Sequence, residues 1–165
     1  MKFKHATLEH LPRIVEIHNS TVPGRIVTAD TEFVSVESRM RWFYDHSADK
    51  RPLWIIEDEN NAVSGWVSFQ SFYGRPAYDG TVEISIYLDP EARGKGIGKK
   101  ALQFAIAQCS ELKIKTLLGY IFLHNEPSLN LFRGFGFAQW ALFPNVAELD
   151  GIERSLIILG KRVGP

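Results

Sequence analysis

Between a strand-like run, Thr81–Leu88, and an amphipathic stretch that reads as a helix over 98–111 lies the segment Arg93-Gly94-Lys95-Gly96-Ile97-Gly98. Three glycines at alternate positions let the main chain turn tightly and bring its N–H groups against a ligand with no side chain in the way. The start of a helix adds unpaired N–H donors and a partial positive charge, so the natural occupant is a phosphate or pyrophosphate. Arg93, Lys95, Lys99 and Lys100 crowd that first turn, where the helix dipole disfavours cations. A bound anion removes the conflict.

Spacing sorts the phosphate loops. A P-loop needs a glycine at position 93, which is Arg93, and a hydroxyl after Lys99, where Lys100 stands. A nucleotide triphosphatase is disfavoured on both counts. The dinucleotide fingerprint fails as well: its third glycine comes one residue early, and the next strand ends near Leu123 with no acid to hold a ribose. What remains is Arg-x-x-Gly-x-Gly after a strand and before a helix, which resembles the acyl-CoA-binding signature of the GNAT superfamily of N-acetyltransferases.

A second segment agrees. Asn125-Glu126-Pro127-Ser128, an apolar helix and then Gly136-Phe137 resemble that family's Asn-x-x-Ser/Ala signature. Upstream, Asn19, Thr28-Ala29-Asp30-Thr31, Arg39-x-x-Trp42-Phe43, Arg75-Pro76-Ala77-Tyr78 and Thr81-Val82-Glu83 look like the phosphinothricin/methionine-sulfoximine acetyltransferase branch. The resemblance implies acetyl-CoA as co-substrate and a GNAT-type α+β fold. That fold has a mixed, mostly antiparallel sheet of about seven strands, flanked by helices and split in a V between the fourth and fifth strands. It also implies that main-chain groups of Ile86, Tyr87 and Leu88, the loop Arg93, Gly94, Lys95, Gly96, Ile97, Gly98 and Lys99, and Asn125 with Ser128 hold the cofactor. In this superfamily a strand N–H polarises the thioester carbonyl, and Leu88 is the expected donor.

The order of elements supports that architecture independently. Lys2–Ala6 reads as a strand and Thr7 as the cap of a helix carrying Leu11, Ile14, Val15 and Ile17. A second helix is expected around Val36–Tyr44, then a hairpin of Leu53–Glu57 with Val63–Phe69. After the loop Gly74–Gly80 come the strand Thr81–Leu88, the 98–111 helix, the strand Thr116–Leu123, a short helix and a last hairpin, Phe137–Phe143 with Ile152–Leu159. Antiparallel strands followed by a crossover helix argue a mixed α+β sheet.

Alternation along Thr81–Leu88 puts Val82, Ile84, Ile86 and Leu88 on one face and Glu83, Ser85 and Tyr87 on the other. A carboxylate in so apolar a strand is costly to bury, and desolvation raises its pKa toward that of a useful base. Glu83 is either that base or the partner of a nearby Arg on an open sheet face; the resemblance, which carries a base at this Glu, favours the first. Many superfamily members place a Tyr seven residues after the Asn to protonate the departing sulfur. Here that position is Phe132, which donates nothing. His124, Tyr120 and Tyr87 are possible substitutes, and a thiol of pKa about 8–9 can leave without one. Arg75 and Tyr78 could meet a substrate carboxylate, or Arg75 could be a solvated loop residue. Beyond Phe137 the chain departs from the herbicide-acetylating relatives and lacks the histidine proposed to assist catalysis there.

With 165 residues, 45% of them hydrophobic, and no repeats or linkers, one domain spanning 1–165 is expected. A formal net charge of zero gives no bulk attraction to nucleic acid or to an anionic membrane. Cys109, the single cysteine, forms no internal disulfide and belongs to no multi-cysteine metal site. No signal peptide or spanning apolar run stands in the sequence, so a cytoplasmic location is expected. The expected partners are a small-molecule amine, with no nucleic acid, membrane or metal, and a second copy in a homodimer. The expected function is acetyl transfer from acetyl-CoA to the amine of an amino acid or analogue. The rivals are a non-catalytic acyl-CoA sensor and a protein-lysine acetyltransferase.

Overall fold

The computed structural model describes residues 1–165. Its strands are β1 (Lys2–His5), β2 (Leu53–Glu57), β3 (Val63–Ser71), β4 (Thr81–Leu88), β5 (Thr116–Phe122), β6 (Ala138–Leu149) and β7 (Ile152–Arg162). The helices are α1 (Leu11–Ser20), α2 (Met40–Tyr44), α3 (Ile97–Gln108) and α4 (Glu126–Gly134). All seven strands join one sheet in the order β1-β2-β3-β4-β5-β7-β6. Every neighbouring pair is antiparallel except β4 with β5.

That parallel pairing is short. Thr81 faces Thr116, Val82 faces Leu117, Glu83 faces Leu118, and there it stops. Beyond Glu83, β4 runs on to Leu88 while β5 runs on to Phe122 bonded only to β7. The two strands therefore diverge into the V-shaped opening expected of this fold, with main-chain groups of β4 left unpaired along its edge.

Alternation along β4 divides its side chains between two cores. Val82 and Ile84 pack with Ala101, Leu102 and Ala105 of α3 and with Leu129 and Phe132 of α4. On the other face Ile14 and Ile17 of α1 pack with Leu53, Ile55 and Trp66, with Trp42 and Tyr87 at the margin. Each such aliphatic side chain contributes about 1.5–3 kcal/mol when fully removed from water. Trp66 adds a polar tie: its Nε1 donates to the Ile14 carbonyl at 3.1 Å, fixing α1 over β3 and β4.

Most boundaries hold or shift by one to three residues, and the larger departures from expectation are at three places. Thr7 heads a 3₁₀ turn, Leu8–His10, rather than α1 itself, and its N–H donates to Nδ1 of His10 at 2.9 Å. The helix expected over Val36–Tyr44 is a 3₁₀ turn, Glu37–Arg39, followed by the five residues of α2. The last hairpin is much longer than Phe137–Phe143 with Ile152–Leu159. It turns at Asp150-Gly151, both with left-handed φ (53° and 76°), the conformation that suits a two-residue hairpin. Two register shifts, Gln139/Ala141 and Phe143/Ala147, interrupt the alternation of β6 and hide its length from the sequence pattern.

Candidate active site

The glycine loop is held open by its own dihedral angles. Gly94 and Gly96 have φ of 73° and 77°, a region that a side-chain-bearing residue enters only at a cost. Gly96 is the residue before α3. The first helical N–H to find an acceptor in the helix is that of Lys100, bonded to the Gly96 carbonyl, so the N–H groups of Ile97, Gly98 and Lys99 are left for a ligand. Asp89 anchors the base of the loop, accepting from the Glu91 N–H at 2.8 Å and from Nη2 of Arg13 at 2.7 Å. A cavity of about 530 Å³ opens against Arg93, Gly94, Gly96, Gly98 and Lys99. Lys95 and Ile97 do not line it; Lys95 is exposed and Ile97 packs against the core.

The opposite wall of this cavity includes Asn125 and Ser128. Asn125 is buried and precedes α4, where its Oδ1 accepts the Ser128 N–H at 3.3 Å. That cap uses the oxygen and leaves Nδ2 with no protein partner. Along the β4 edge, the bond from the Asp89 N–H to the Ser64 carbonyl sets the phase of the β3–β4 ladder. In an antiparallel pair the alternate residues point the other way, so Leu88 and Ile86 direct their N–H groups into the opening.

Glu83 stands at the last paired position, where the opening begins. It is half-buried, and burial pushes its pKa up. A second cavity, about 320 Å³, continues from the first past Ile86, Asn125 and Phe132 to Glu83. Its outer walls are apolar: Val27, Ala29, Tyr120, Val146 and Leu156. A third, about 170 Å³, meets the second at Thr28, Glu83, Ser85 and Tyr87 and is lined mainly by polar groups: His18, Asp30, Arg39, Ser68 and Gln70. Tyr87 touches all three; its ring lies flat against Trp66 at 4.5 Å and against His18 at 5.2 Å. Burial raises its pKa, with the hydrogen bond to Thr28 opposing. The phenol of Tyr120 is also pushed up, first by burial and then by the charge of Glu83.

The remaining sequence candidates lie elsewhere. Arg75 and Tyr78 are exposed and line none of the three cavities. His124 also stands outside them, its Nε2 donating to the Arg25 carbonyl at 2.8 Å while Nδ1 is buried without a partner. Phe132 is buried with its ring seated where Gly119 has no side chain; a Cβ on Gly119 would come within 2.9 Å of it. Cys109 is buried at the end of α3, its thiol pushed up to about 12 by desolvation, so it forms no thiolate at neutral pH. Sequence reasoning missed the polar third cavity. Its signal was the alternation of Trp66, Ser68 and Gln70 along β3, which the register sets opposite Tyr87, Ser85 and Glu83.

Comparison with known proteins follows the same lines. Residues 12–137 match the family described as Acetyltransferase (GNAT) family. YwnH of Bacillus subtilis (strain 168), named provisionally as a phosphinothricin acetyltransferase, is 50% identical over 163 residues, covering 99% of both chains. An L-methionine sulfoximine/L-methionine sulfone acetyltransferase of Pseudomonas aeruginosa is 27% identical, over 90% of this chain and 86% of its own. The crystal structure of a GNAT superfamily phosphinothricin acetyltransferase from Sinorhizobium meliloti, in complex with acetyl-CoA, superposes with a TM-score of 0.92. It is 29% identical and covers 99% of this chain and 88% of its own.

Proposed function

Because the chain belongs to the GNAT family of acetyltransferases, we propose that it acetylates the α-amine of a small amino acid or close analogue, with Glu83 as general base. The chain is an acetyl-CoA-dependent N-acetyltransferase; the acceptor class and the roles of residues are our reading. One observation carries it: the half-buried Glu83 sits where the apolar cavity, which continues from the cavity at the glycine loop, meets the polar one.

The chemistry suits an amino acid. Removing the proton from an α-ammonium of pKa about 8 costs about 1 kcal/mol at pH 7, against about 4–5 for a lysine-like amine near 10.4. A carboxylate whose pKa is raised by burial can take that proton. The amine nitrogen then forms its bond to the thioester carbonyl carbon as the carbon–sulfur bond breaks, and the second proton that nitrogen sheds in becoming an amide passes to the departing thiolate or to solvent. The Leu88 N–H donates to the carbonyl oxygen as negative charge grows there. A departing thiolate with a thiol pKa near 8.5 needs no dedicated acid, consistent with Phe132 at the position where many relatives carry Tyr. Acetyl-CoA fits the first cavity through the N–H groups at the start of α3, Arg93 and Lys99 on its phosphates, and Nδ2 of Asn125 on its amide-bearing arm.

The reading includes a cytoplasmic location and a homodimer, the pairing supported by the row of exposed apolar side chains on the edge strand β6, namely Trp140, Leu142, Phe143 and Val146. Thiol release from acetyl-CoA across free amino acids, simple amines and lysine peptides tests the acceptor class. Turnover confined to small amino-acid-like amines is the expected result. Faster turnover of lysine peptides would establish the protein-directed alternative, and tight CoA binding without turnover of any amine would establish the sensor.

A further inference from the structure

An α-amino acid carries a carboxylate one carbon from its reacting nitrogen, and an anion entering a half-buried site needs a cation or several donors to meet it. Among residues lining the two cavities that meet at Glu83, Arg39 is the only arginine or lysine. Arg25 is engaged by Asp150 and by the carbonyls of Val22 and Thr31, and Arg93 and Lys99 face the cofactor cavity.

Arg39 is positioned by groups that leave part of its fork unused. Its Nη2 donates to Oδ2 of Asp30 at 2.8 Å, and that same oxygen lies 2.8 Å from Nε2 of His18. The guanidinium carbon stands 5.9 Å from the Trp42 ring centre. Nε and Nη1 have no protein partner. Asp30 therefore neutralises the charge in the resting site and fixes its direction, while two donor positions remain. Ser68, beneath the same cavity, is 1% exposed and its Oγ has no hydrogen-bond partner. A buried hydroxyl without a partner is costly, and a ligand oxygen would satisfy it.

We propose that this polar cavity is the carboxylate subsite of the acceptor, with Arg39 as the residue that selects α-amino acids over simple amines. The inference rests on the acetyl-transfer reading and deepens it. In that arrangement the acceptor's amine lies at Glu83, its carboxylate enters the polar cavity toward Nε and Nη1 of Arg39, and its side chain runs along the apolar cavity past Val27, Tyr120 and Leu156. The bound amino acid meets no arginine or lysine in the apolar cavity, so a neutral side chain is preferred there over a second anion.

The test compares L-methionine sulfone with its decarboxylated counterpart, 3-(methylsulfonyl)propan-1-amine, in thiol-release kinetics. The unmodified protein is expected to favour the amino acid at least tenfold in kcat/KM. Arg39→Gln is expected to shrink that preference at least tenfold, chiefly by raising KM for the amino acid, and Arg39→Lys to fall between. Taking the ratio of ratios cancels the different basicities of the two amines. A preference unchanged by Arg39→Gln overturns the assignment, as does an unmodified protein that favours the simple amine. Turnover of neither amine overturns the small-amine acceptor reading beneath it. Since Asp30 loses a partner in these variants, a crystal structure of the unmodified protein with CoA and L-methionine sulfone gives a readout independent of them. A carboxylate oxygen within hydrogen-bonding distance of Nε or Nη1 of Arg39 is expected, and a carboxylate seated elsewhere overturns the proposal.

Discussion

The sides of the opening proposed for the cofactor and for the acceptor are built on different principles. The cofactor wall is mostly main chain. Two left-handed glycines, the N–H groups at the start of α3 and the unpaired edge of β4 present donors whose direction is set within a few residues of sequence. The acceptor wall is side chains gathered from α1, the 28–30 segment, α2, β3, β4, β5 and the β6–β7 hairpin. A wall of main-chain donors fits any carrier with the same phosphates and tolerates change in its side chains. One made of distant side chains sets the acceptor, and each of its members can be changed singly.

The comparison is sharpened by substitutions on each side. The largest effect is expected from Gly96→Val. A β-branched residue at φ of 77° is strained, and its side chain would intrude on the cavity proposed for the carrier's phosphates, so CoA affinity should fall at least about a hundredfold, roughly 2.8 kcal/mol, by calorimetry. Affinity within threefold of the unmodified protein would mean the loop does not grip the carrier.

Glu83→Gln comes next, with kcat lowered about a hundredfold near pH 7, in the usual range for a lost general base. CoA affinity should be nearly unchanged, and the deficit should narrow as rising pH deprotonates the amine in solution. The substitution should also move stability. With its pKa raised in the folded state, Glu83 binds its proton more tightly there than in the unfolded chain. Stability is therefore lost as pH rises from the ordinary carboxylate pKa through the raised one. Glu83→Gln should remove that loss and raise Tm at neutral pH. Unchanged kinetics across pH would take Glu83 out of the mechanism.

Asn125→Ala should cost about 1 kcal/mol of stability as a lost helix cap, with a several-fold rise in KM for acetyl-CoA. A fall in thermal stability with no change in KM would make Asn125 a cap alone. The smallest effect is expected from His124→Gln, with kcat within twofold, because the ring nitrogen that donates is occupied by the Arg25 carbonyl. A tenfold loss would restore His124 as a proton donor to the sulfur.

The cofactor side was legible in the sequence because its determinants are local. Gly94 and Gly96 had to be glycines for the turn they make, and Asn125 with Ser128 announced the cap that places the amide. Glu83 was legible because a strand's two-residue period fixes which face each residue takes. His124, Arg75 and Tyr78 were named for their chemical types, and type carries no direction: the structure places all three outside the cavities. The residues that proximity in sequence could not reveal are Ser68 and Gln70, which join Ser85 and Glu83 through the β3–β4 register, and Arg39, aimed by Asp30 and His18.

The sequence by itself thus determined the turn that can hold a pyrophosphate, the strand that follows the sheet's divergence and the carboxylate set into it. Each of these depends on backbone preferences that act within a handful of residues. Only the tertiary structure decided how abruptly β4 and β5 part after Glu83, and which side chains close around the space beside it. Those outcomes depend on register and on packing between segments far apart in the chain, where many residue types satisfy the same apolar pattern while only one arrangement fills the volume.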